Sequence, residues 1–190
     1  MSPTLNSYTK TAVVLHWLIA LGIFALIGVG LIMKNAHLPP MRVFQLYQLH
    51  KSIGVVVLLL AVVRLAWRLF HRPPDLPASM KRLEQLAAHA GHGLIYVFLI
   101  ALPLSGWALV SASRLNIPTV LFGVVPWPHL PWLTELEDKA PAEALLKLVH
   151  DYGAFVFIAV IVGHIGAAIL HSFKGDVPLS RMSLRGTREN

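Results

Sequence analysis

The chain has 190 residues, of which 56% are hydrophobic and only 13% charged, and its formal net charge is +7. This composition excludes an ordinary water-soluble globule and indicates a membrane protein. Because the chain has no cysteine, disulfides, iron–sulfur clusters, thiolate-ligated haem and covalent haem attachment through C-x-x-C-H are excluded as well.

Four apolar stretches follow one another along the chain, at about 12–33, 48–70, 87–111 and 148–170. Each has the roughly 20 apolar residues that cross a hydrocarbon core of about 30 Å, and in lipid such stretches must be helical. We therefore expect an all-α integral membrane protein in which residues 1–190 form a single four-helix bundle. The first stretch is longer than a signal-peptide core and precedes no small-x-small cleavage site, so we expect it to be retained.

The basic residues lie beside the apolar stretches rather than on one soluble face, which favours contact with lipid and argues against nucleic-acid binding. One set of connections and ends carries Lys10, Arg64, Arg68, Arg72, Lys81, Arg82, Lys174, Arg181, Arg185 and Arg188. The other set carries Lys34, Arg42, Lys51, Arg114, Lys139 and Lys147, diluted by Glu135, Glu137, Asp138 and Glu143. The positive-inside rule therefore predicts that both termini are cytoplasmic and that the first and third spans run outward.

Histidines recur in the apolar stretches, where ionisable side chains are costly and usually functional. In the last stretch, His150 and His164 are 14 residues apart, which is about 21 Å and nearly four full turns, so they share one helix face at two depths. His50 is level with His150 near the periplasmic surface, and His16 is level with His164 near the cytoplasmic surface. Two neutral imidazoles from facing helices can hold one haem b. The spacing therefore predicts two haems stacked across the bilayer.

A third histidine competes at the cytoplasmic level. His92 lies at about the same depth in the third stretch as His16 does in the first, so spacing alone leaves either residue as the partner of His164. If His16 is the ligand, His92 and His171 are available to hydrogen-bond a quinone carbonyl or to carry protons, since imidazole titrates near neutral pH.

Two glycines and three basic residues are further candidates for contact with the predicted haems. Gly30 and Gly106, each 14 residues after a histidine, are expected at the depth of the periplasmic haem, either to leave room for the macrocycle or as ordinary helix contacts. Arg64 and Arg68 share a face at the cytoplasmic end of the second stretch, where they would bind haem propionates or snorkel to lipid headgroups. Lys51 is a candidate contact for a propionate or another anion, or else a charge at the rim.

The segments between the apolar stretches contain fewer residues that indicate a function. The segment PWPHLPW, residues 126–132, is expected to act as an interfacial aromatic anchor, with Trp127 and Trp132 at the membrane surface. His37, His71 and His129 are expected to be surface residues.

Four segments contain the apolar stretches with their histidines: VLHWLIA (14–20), YQLHKSIGVVVLLLAVVRLAWRL (47–69), AHAGHGLIYVFLIALPLSGW (88–107) and LVHDYGAFVFIAVIVGHIGAAILH (148–171). Together they resemble the bacterial cytochrome b561 family, which is related in design to the cytochrome b subunits of hydrogenases and formate dehydrogenases. The resemblance implies a dihaem b protein of the bacterial inner membrane. It also implies that His16 and His164 bind the cytoplasmic haem iron, and His50 and His150 the periplasmic one.

The same resemblance implies electron exchange with ubiquinone, and some family members suggest superoxide as the electron donor, which would make the chain a superoxide:ubiquinone oxidoreductase. Superoxide is an anion, and Lys51 and Arg42 are candidates, with Lys34 and Arg114, for steering it towards the periplasmic haem. Two alternatives stay open. One is a cytochrome b anchor subunit that receives electrons from a redox protein partner in a larger dehydrogenase or hydrogenase. The other is a haem-free transporter with a histidine relay.

Overall fold

The computed structural model describes residues 8–77, 79–175 and 179–183, and this part of the chain is mostly helical. Its elements in chain order are α1 (Lys10–Asn35), α2 (Pro40–Phe70), α3 (Arg82–Ala112), β1 (Thr119–Leu121), β2 (Val125–Trp127), α4 (Pro131–Thr134), α5 (Ala140–Phe173) and a 3₁₀ helix (Leu179–Met182).

Four of these helices, α1, α2, α3 and α5, are long and apolar enough to cross a membrane. The prediction of a helical membrane bundle is confirmed to this extent, and each predicted apolar stretch lies inside one of the four helices. Both α2 and α5 begin eight residues before the predicted stretch, at Pro40 and Ala140. Each has a proline in its first turn, where the missing N–H has no intrahelical partner to lose. The predicted spans did not include these first turns, because the spans were drawn from the apolar segments and the helices begin before those segments.

The bundle has an apolar layer near its middle. Helix α1 packs against α2, α2 against α3, and α3 against α5. The buried residues of this layer come from all four helices and are Ile19, Val57, Ala61, Leu99 and Phe157. The ring of Phe98 stacks on Phe157 with 5.2 Å between ring centres, which fills the space between α3 and α5.

In each of the four long helices, a residue near the middle layer has a histidine, glycine or arginine seven residues before it and another seven residues after it. Seven residues are about two helical turns, or about 10.5 Å, so such residues share a face. The sets are His16, Ile23 and Gly30 on α1; His50, Val57 and Arg64 on α2; His92, Leu99 and Gly106 on α3; and His150, Phe157 and His164 on α5. The fold therefore has two polar levels separated by an apolar layer.

We call the two ends of the bundle the hairpin end, which holds His50 and His150, and the terminal end, which holds His16 and His164. At the hairpin end, β1 and β2 form an antiparallel hairpin in which Thr119 lies opposite Trp127. Its turn contains Phe122 and Gly123, whose φ angles of 49° and 75° lie in the left-handed region. A glycine adopts this conformation without strain, which explains Gly123.

The hairpin is attached to the long helices by hydrogen bonds, so it forms a cap over the outer turns of α2. Gln48 Nε2 donates to the Pro118 carbonyl at 2.9 Å, and Phe122 N donates to Ser52 Oγ at 2.9 Å. Ser52 is almost fully buried, with 1% of its surface exposed.

The segment that follows the hairpin is attached to α3. Trp107 Nε1 donates to the Pro128 carbonyl at 2.8 Å, and Leu130 N donates to Ser111 Oγ at 3.0 Å. The connection between α3 and α5 is therefore a folded cap rather than a loose loop.

At the terminal end, polar contacts join segments that are distant in sequence. The Lys174 ammonium lies 3.2 Å from a Glu84 carboxylate oxygen and so joins α5 to α3. Trp17 Nε1 donates to the Met182 carbonyl at 2.9 Å, which holds the 3₁₀ helix against α1.

Candidate functional site

The structure brings the four predicted ligand histidines together as two pairs. The rings of His16 and His164 have their centres 6.4 Å apart, and those of His50 and His150 are 6.3 Å apart. The planes within each pair are steeply inclined, by 65° and 79°. All four side chains are half-buried.

These separations fit two imidazoles that bind one metal from opposite sides. An imidazole nitrogen binds a metal at about 2 Å and lies roughly 1 Å from its ring centre, so the two ring centres are then a little over ~6 Å apart. Among residues 8–77, 79–175 and 179–183, no three histidine, aspartate or glutamate side chains are placed to hold a metal ion together. Each pair would thus need a metal whose other ligands come with it, as a porphyrin supplies them.

Hydrogen bonds fix the orientation of the His150 ring. Ser105 Oγ donates its proton to the Leu102 carbonyl at 2.7 Å and also contacts His150 Nδ1 at 3.0 Å. Because the hydroxyl proton is used on the carbonyl, His150 Nδ1 must carry a proton and donate it to Ser105. Its Nε2 then keeps a free lone pair, which is the state that a metal ligand needs.

Two glycines lie against the histidines of the hairpin end. A Cβ placed on Gly106 would be 2.9 Å from His150 Cε1, and one placed on Gly30 would be 3.6 Å from His50 Cε1. The first distance is too short for any side chain unless the His150 ring moves, whereas the second is an ordinary contact. Helices α1 and α3 therefore approach these rings closely, and α3 does so only because residue 106 is glycine.

His92 is a third histidine at the terminal end. Its ring centre is 5.4 Å from that of His164, which is about 1 Å closer than His16. His92 Nδ1 donates to the Ala88 carbonyl at 2.8 Å, so its Nε2 is an acceptor.

The other histidines are dispersed. His171 lies near the Glu84 carboxylate at the terminal end of α3, and His89 and His37 are exposed. His71 is not the surface residue that we predicted: it is half-buried and stacks on Trp67, with 3.8 Å between ring centres. This stack forms because residues four apart are neighbours on a helix.

Arg64 and Arg68 lie at the terminal end between three helices. A guanidinium nitrogen of Arg64 donates to the Ala12 carbonyl on α1, and the Arg68 guanidinium lies 5.4 Å from the ring centre of Tyr96 on α3. Both arginines line a shallow cleft that is open to solvent, together with Trp67. The cleft offers positive charge near the His16 and His164 level.

The basic residues of the hairpin end are less available to steer anions than their number suggests. Lys34 lies 4.0 Å from the Asp151 carboxylate, and Arg114 lies 3.0 Å from that of Glu143. Arg42 is exposed, and its guanidinium donates to the Gln45 side chain at 3.2 Å. Lys51 donates to the Pro118 carbonyl at 3.4 Å.

The structure corrects the prediction that His129 is a surface residue, and it gives Trp127 less exposure than Trp132, which is 66% exposed. Trp127 is half-buried and packs on Trp107, with 5.5 Å between ring centres. His129 is half-buried too, and this burial, with the charges of Lys51 and Lys139, lowers the pKa of His129 below its ordinary value. Both residues turn inward because the hairpin folds over the helix ends.

Sequence reasoning missed the residues that orient the site. Ser105 directly precedes Gly106, which was predicted at the depth of the periplasmic haem, so the sequence could have indicated that Ser105 lies near His150. The contacts of Ser52 and Gln48 with the hairpin had no such signal, because they depend on a loop of long sequence separation.

A bundle of four membrane-crossing helices with histidine pairs at two levels is typical of membrane-bound b-type cytochromes. A family model described as prokaryotic cytochrome b561 matches residues 7–184, and the chain belongs to that family.

Two relatives come from Escherichia coli K12. Cytochrome b561 homolog 2 is 29% identical over 180 residues, covering 94% of this chain and 92% of the relative. Cytochrome b561 homolog 1 is 26% identical over 184 residues, covering 95% and 99%. A third relative, the probable superoxide oxidase CybB of Yersinia pestis, is 29% identical over 170 residues, covering 88% and 90%.

Family membership and the four membrane-crossing helices together define the general role of the chain. It is a bacterial membrane protein that takes part in electron transfer, and its family binds haem b. Its partners therefore include lipid and redox molecules.

Proposed function

We propose that the chain is a dihaem b cytochrome that carries electrons across the inner membrane from superoxide to ubiquinone. The observation that carries this proposal is the pair of ring separations, 6.3 and 6.4 Å, at the two levels of the bundle. A haem b held at each level would supply a one-electron carrier with a reversible iron centre. Haem-free transport loses its support, since the family binds haem b.

In the proposed assignment, His50 and His150 bind the iron at the hairpin end, and His16 and His164 bind the one at the terminal end. The ring centres of His92 and His164 are 5.4 Å apart, which is less than the roughly 6 Å expected for two imidazoles that share a metal, and this supports His16 as the partner. With its Nε2 as an acceptor, His92 is instead proposed, together with His171, to serve the quinone or its protons.

Arg64 and Arg68 are proposed to bind the propionates of the haem at the terminal end. The Arg64 guanidinium lies within electrostatic reach of His16 and His164, and Arg68 lines the same cleft as Arg64. Guanidinium pairs well with carboxylate. Gly30 and Gly106 are proposed to let α1 and α3 approach the haem at the hairpin end.

The hairpin end is proposed to face the periplasm, because the terminal end carries more of the basic residues. In the overall reaction, two superoxide anions each lose one electron and leave as O₂. One ubiquinone gains those two electrons and two protons and becomes ubiquinol. The chain's tasks are to attract the anion at one end, fix the distance between the two levels, and deliver protons at the other end.

Two observations favour superoxide as the donor. One relative is described as a probable superoxide oxidase, at 29% identity. In addition, Arg42 is an exposed cation at the hairpin end. Exposed cations near a reactive centre raise the encounter rate of anions.

The test is a stopped-flow measurement on the purified full-length protein, following haem reduction by superoxide and reoxidation by a water-soluble ubiquinone. We expect reduction that superoxide dismutase abolishes, followed by quinone-dependent reoxidation. Arg42→Glu is expected to slow the superoxide step several-fold at low salt and less at high salt, whereas Arg82→Glu, at the terminal end, leaves the rate unchanged. A haem-loaded protein that superoxide does not reduce would instead support the alternative role of anchor subunit for a dehydrogenase.

A further inference from the structure

Buried nitrogen atoms without partners lie at the hairpin end. Within the described part of the chain, the buried side-chain polar atoms that have no hydrogen-bond partner are His50 Nδ1, Trp127 Nε1 and His129 Nε2. A buried polar group without a partner is destabilising, so three in one region indicate that a partner is missing.

The chemistry of these groups defines that partner. The indole N–H of Trp127 can only donate, so it needs an acceptor. His129 lies within the electrostatic influence of Lys51 and Lys139, and their ammonium groups can also only donate. Lys139 donates to Asn116 Oδ1 at 2.6 Å, and this amide oxygen is a neutral acceptor. A cluster of donors and cations of this kind favours a negatively charged oxygen ligand.

The fold places these groups beside the histidine pair. Lys51 follows His50 in the chain, and its ammonium donates to the carbonyl of Pro118. The next residue, Thr119, lies opposite Trp127 in the hairpin, and His129 follows Trp127 by two residues. The ammonium of Lys51 and the side chains of Trp127 and His129 thus lie at the open end of the hairpin, and Lys51 directly follows His50 in the chain.

We propose that Lys51, Trp127 and His129 form a carboxylate-binding site in the cap, and that its ligand is a propionate of the haem at the hairpin end. This inference rests on the proposed function, since the propionate comes with the haem. Trp127 and His129 donate hydrogen bonds to the carboxylate, and Lys51 compensates its charge. The cap thereby positions the haem edge and favours the reduced iron. A negative propionate stabilises the oxidised haem, which is more positive, and this stabilisation is weaker when the cap compensates the propionate charge.

The test is a redox titration of the purified, haem-loaded protein and of the variants Trp127→Phe and His129→Leu. His16→Ala and His50→Ala each retain one haem in the proposed assignment, so they identify which midpoint potential belongs to which level. Trp132→Phe and His37→Leu are the matched controls, since both residues are exposed. Carboxylate bands in redox-difference infrared spectra, recorded with ¹³C-labelled propionates, give a second readout.

We expect Trp127→Phe and His129→Leu each to shift the reduction equilibrium of the hairpin-end haem towards the oxidised form by about tenfold, or 59 mV for one electron, and to shift the propionate bands. The other haem and both controls should be unchanged. Unchanged potentials and bands in a protein with two haems would overturn the carboxylate site and leave the dihaem proposal intact. Shifts that appear only when formate is added would also overturn the propionate assignment, because the site would then bind a carboxylate from solution. A wild-type protein without two haems would instead overturn the proposed function.

Discussion

At the level of single residues, the terminal-end site depends on which histidine lies opposite His164. His16 and His92 approach it with ring separations of 6.4 and 5.4 Å. We expect His16→Ala to lose one of the two haems, because no other histidine is placed across the metal position. His92→Ala should retain both. Pyridine haemochrome assays on the purified variants measure the haem content. Loss of haem in His92→Ala together with its retention in His16→Ala would reverse the assignment.

Gly106 gives a second prediction at this scale. Its added Cβ would lie 2.9 Å from His150 Cε1, so we expect Gly106→Ala to displace that ring and to remove most of the haem at the hairpin end. The control is Gly28→Ala, where a Cβ meets no atom within 4 Å. Alanine favours helix over glycine by about 1 kcal/mol at both positions, so a weaker helix cannot explain a loss at 106. Equal haem content in the two variants would show that the contact at Gly106 is unimportant.

The ligand pairs could be anticipated from the sequence, because a 14-residue spacing fixes depth and face on a helix. Depth alone could not separate His16 from His92, since that choice depends on how α1, α3 and α5 are arranged around one another. His129 was placed at the surface wrongly, because its burial depends on the path of a loop that hydropathy does not describe.

At the level of elements, the four long helices were predictable because lipid leaves an apolar chain few alternatives to helix. The hairpin was not, since its strands have three residues each and are stabilised by contacts with distant residues. Its anchor is Ser52, which accepts a hydrogen bond from Phe122 N and donates to the Gln48 carbonyl at 2.7 Å.

We expect Ser52→Ala to cost about 1–3 kcal/mol locally, because Phe122 N loses its acceptor. Amide hydrogen exchange over residues 119–127, followed by mass spectrometry, should accelerate by about tenfold or more. Thr134→Val is the control, because the Thr134 hydroxyl donates only to the Pro131 carbonyl inside α4. Unchanged exchange in Ser52→Ala would show that other contacts hold the hairpin.

At the level of the whole molecule, the seven-residue spacing produces two polar levels with an apolar layer between them. Phe157 lies midway between His150 and His164 on α5, and it packs with Val57 and Leu99. We expect this layer to keep water and protons from passing through the bundle while it holds the two levels at a fixed separation. The proposed electron transfer across the membrane requires that combination.

The orientation in the membrane is a further prediction for the whole chain. Both termini are expected in the cytoplasm, because basic residues concentrate at the terminal end. A green fluorescent protein fused to the carboxyl terminus should fluoresce, and alkaline phosphatase inserted after Gly123 should be active in the periplasm. An active phosphatase at the carboxyl terminus would show the opposite orientation.

The central claim is that two histidine pairs, one at each end of the bundle, each hold a haem b. The most direct measurement is the ratio of haem b to polypeptide in protein purified after expression with sufficient iron and haem precursor, combined with a redox titration. The claim predicts two haems per chain and two one-electron components. A single haem, or a colourless protein, would contradict it.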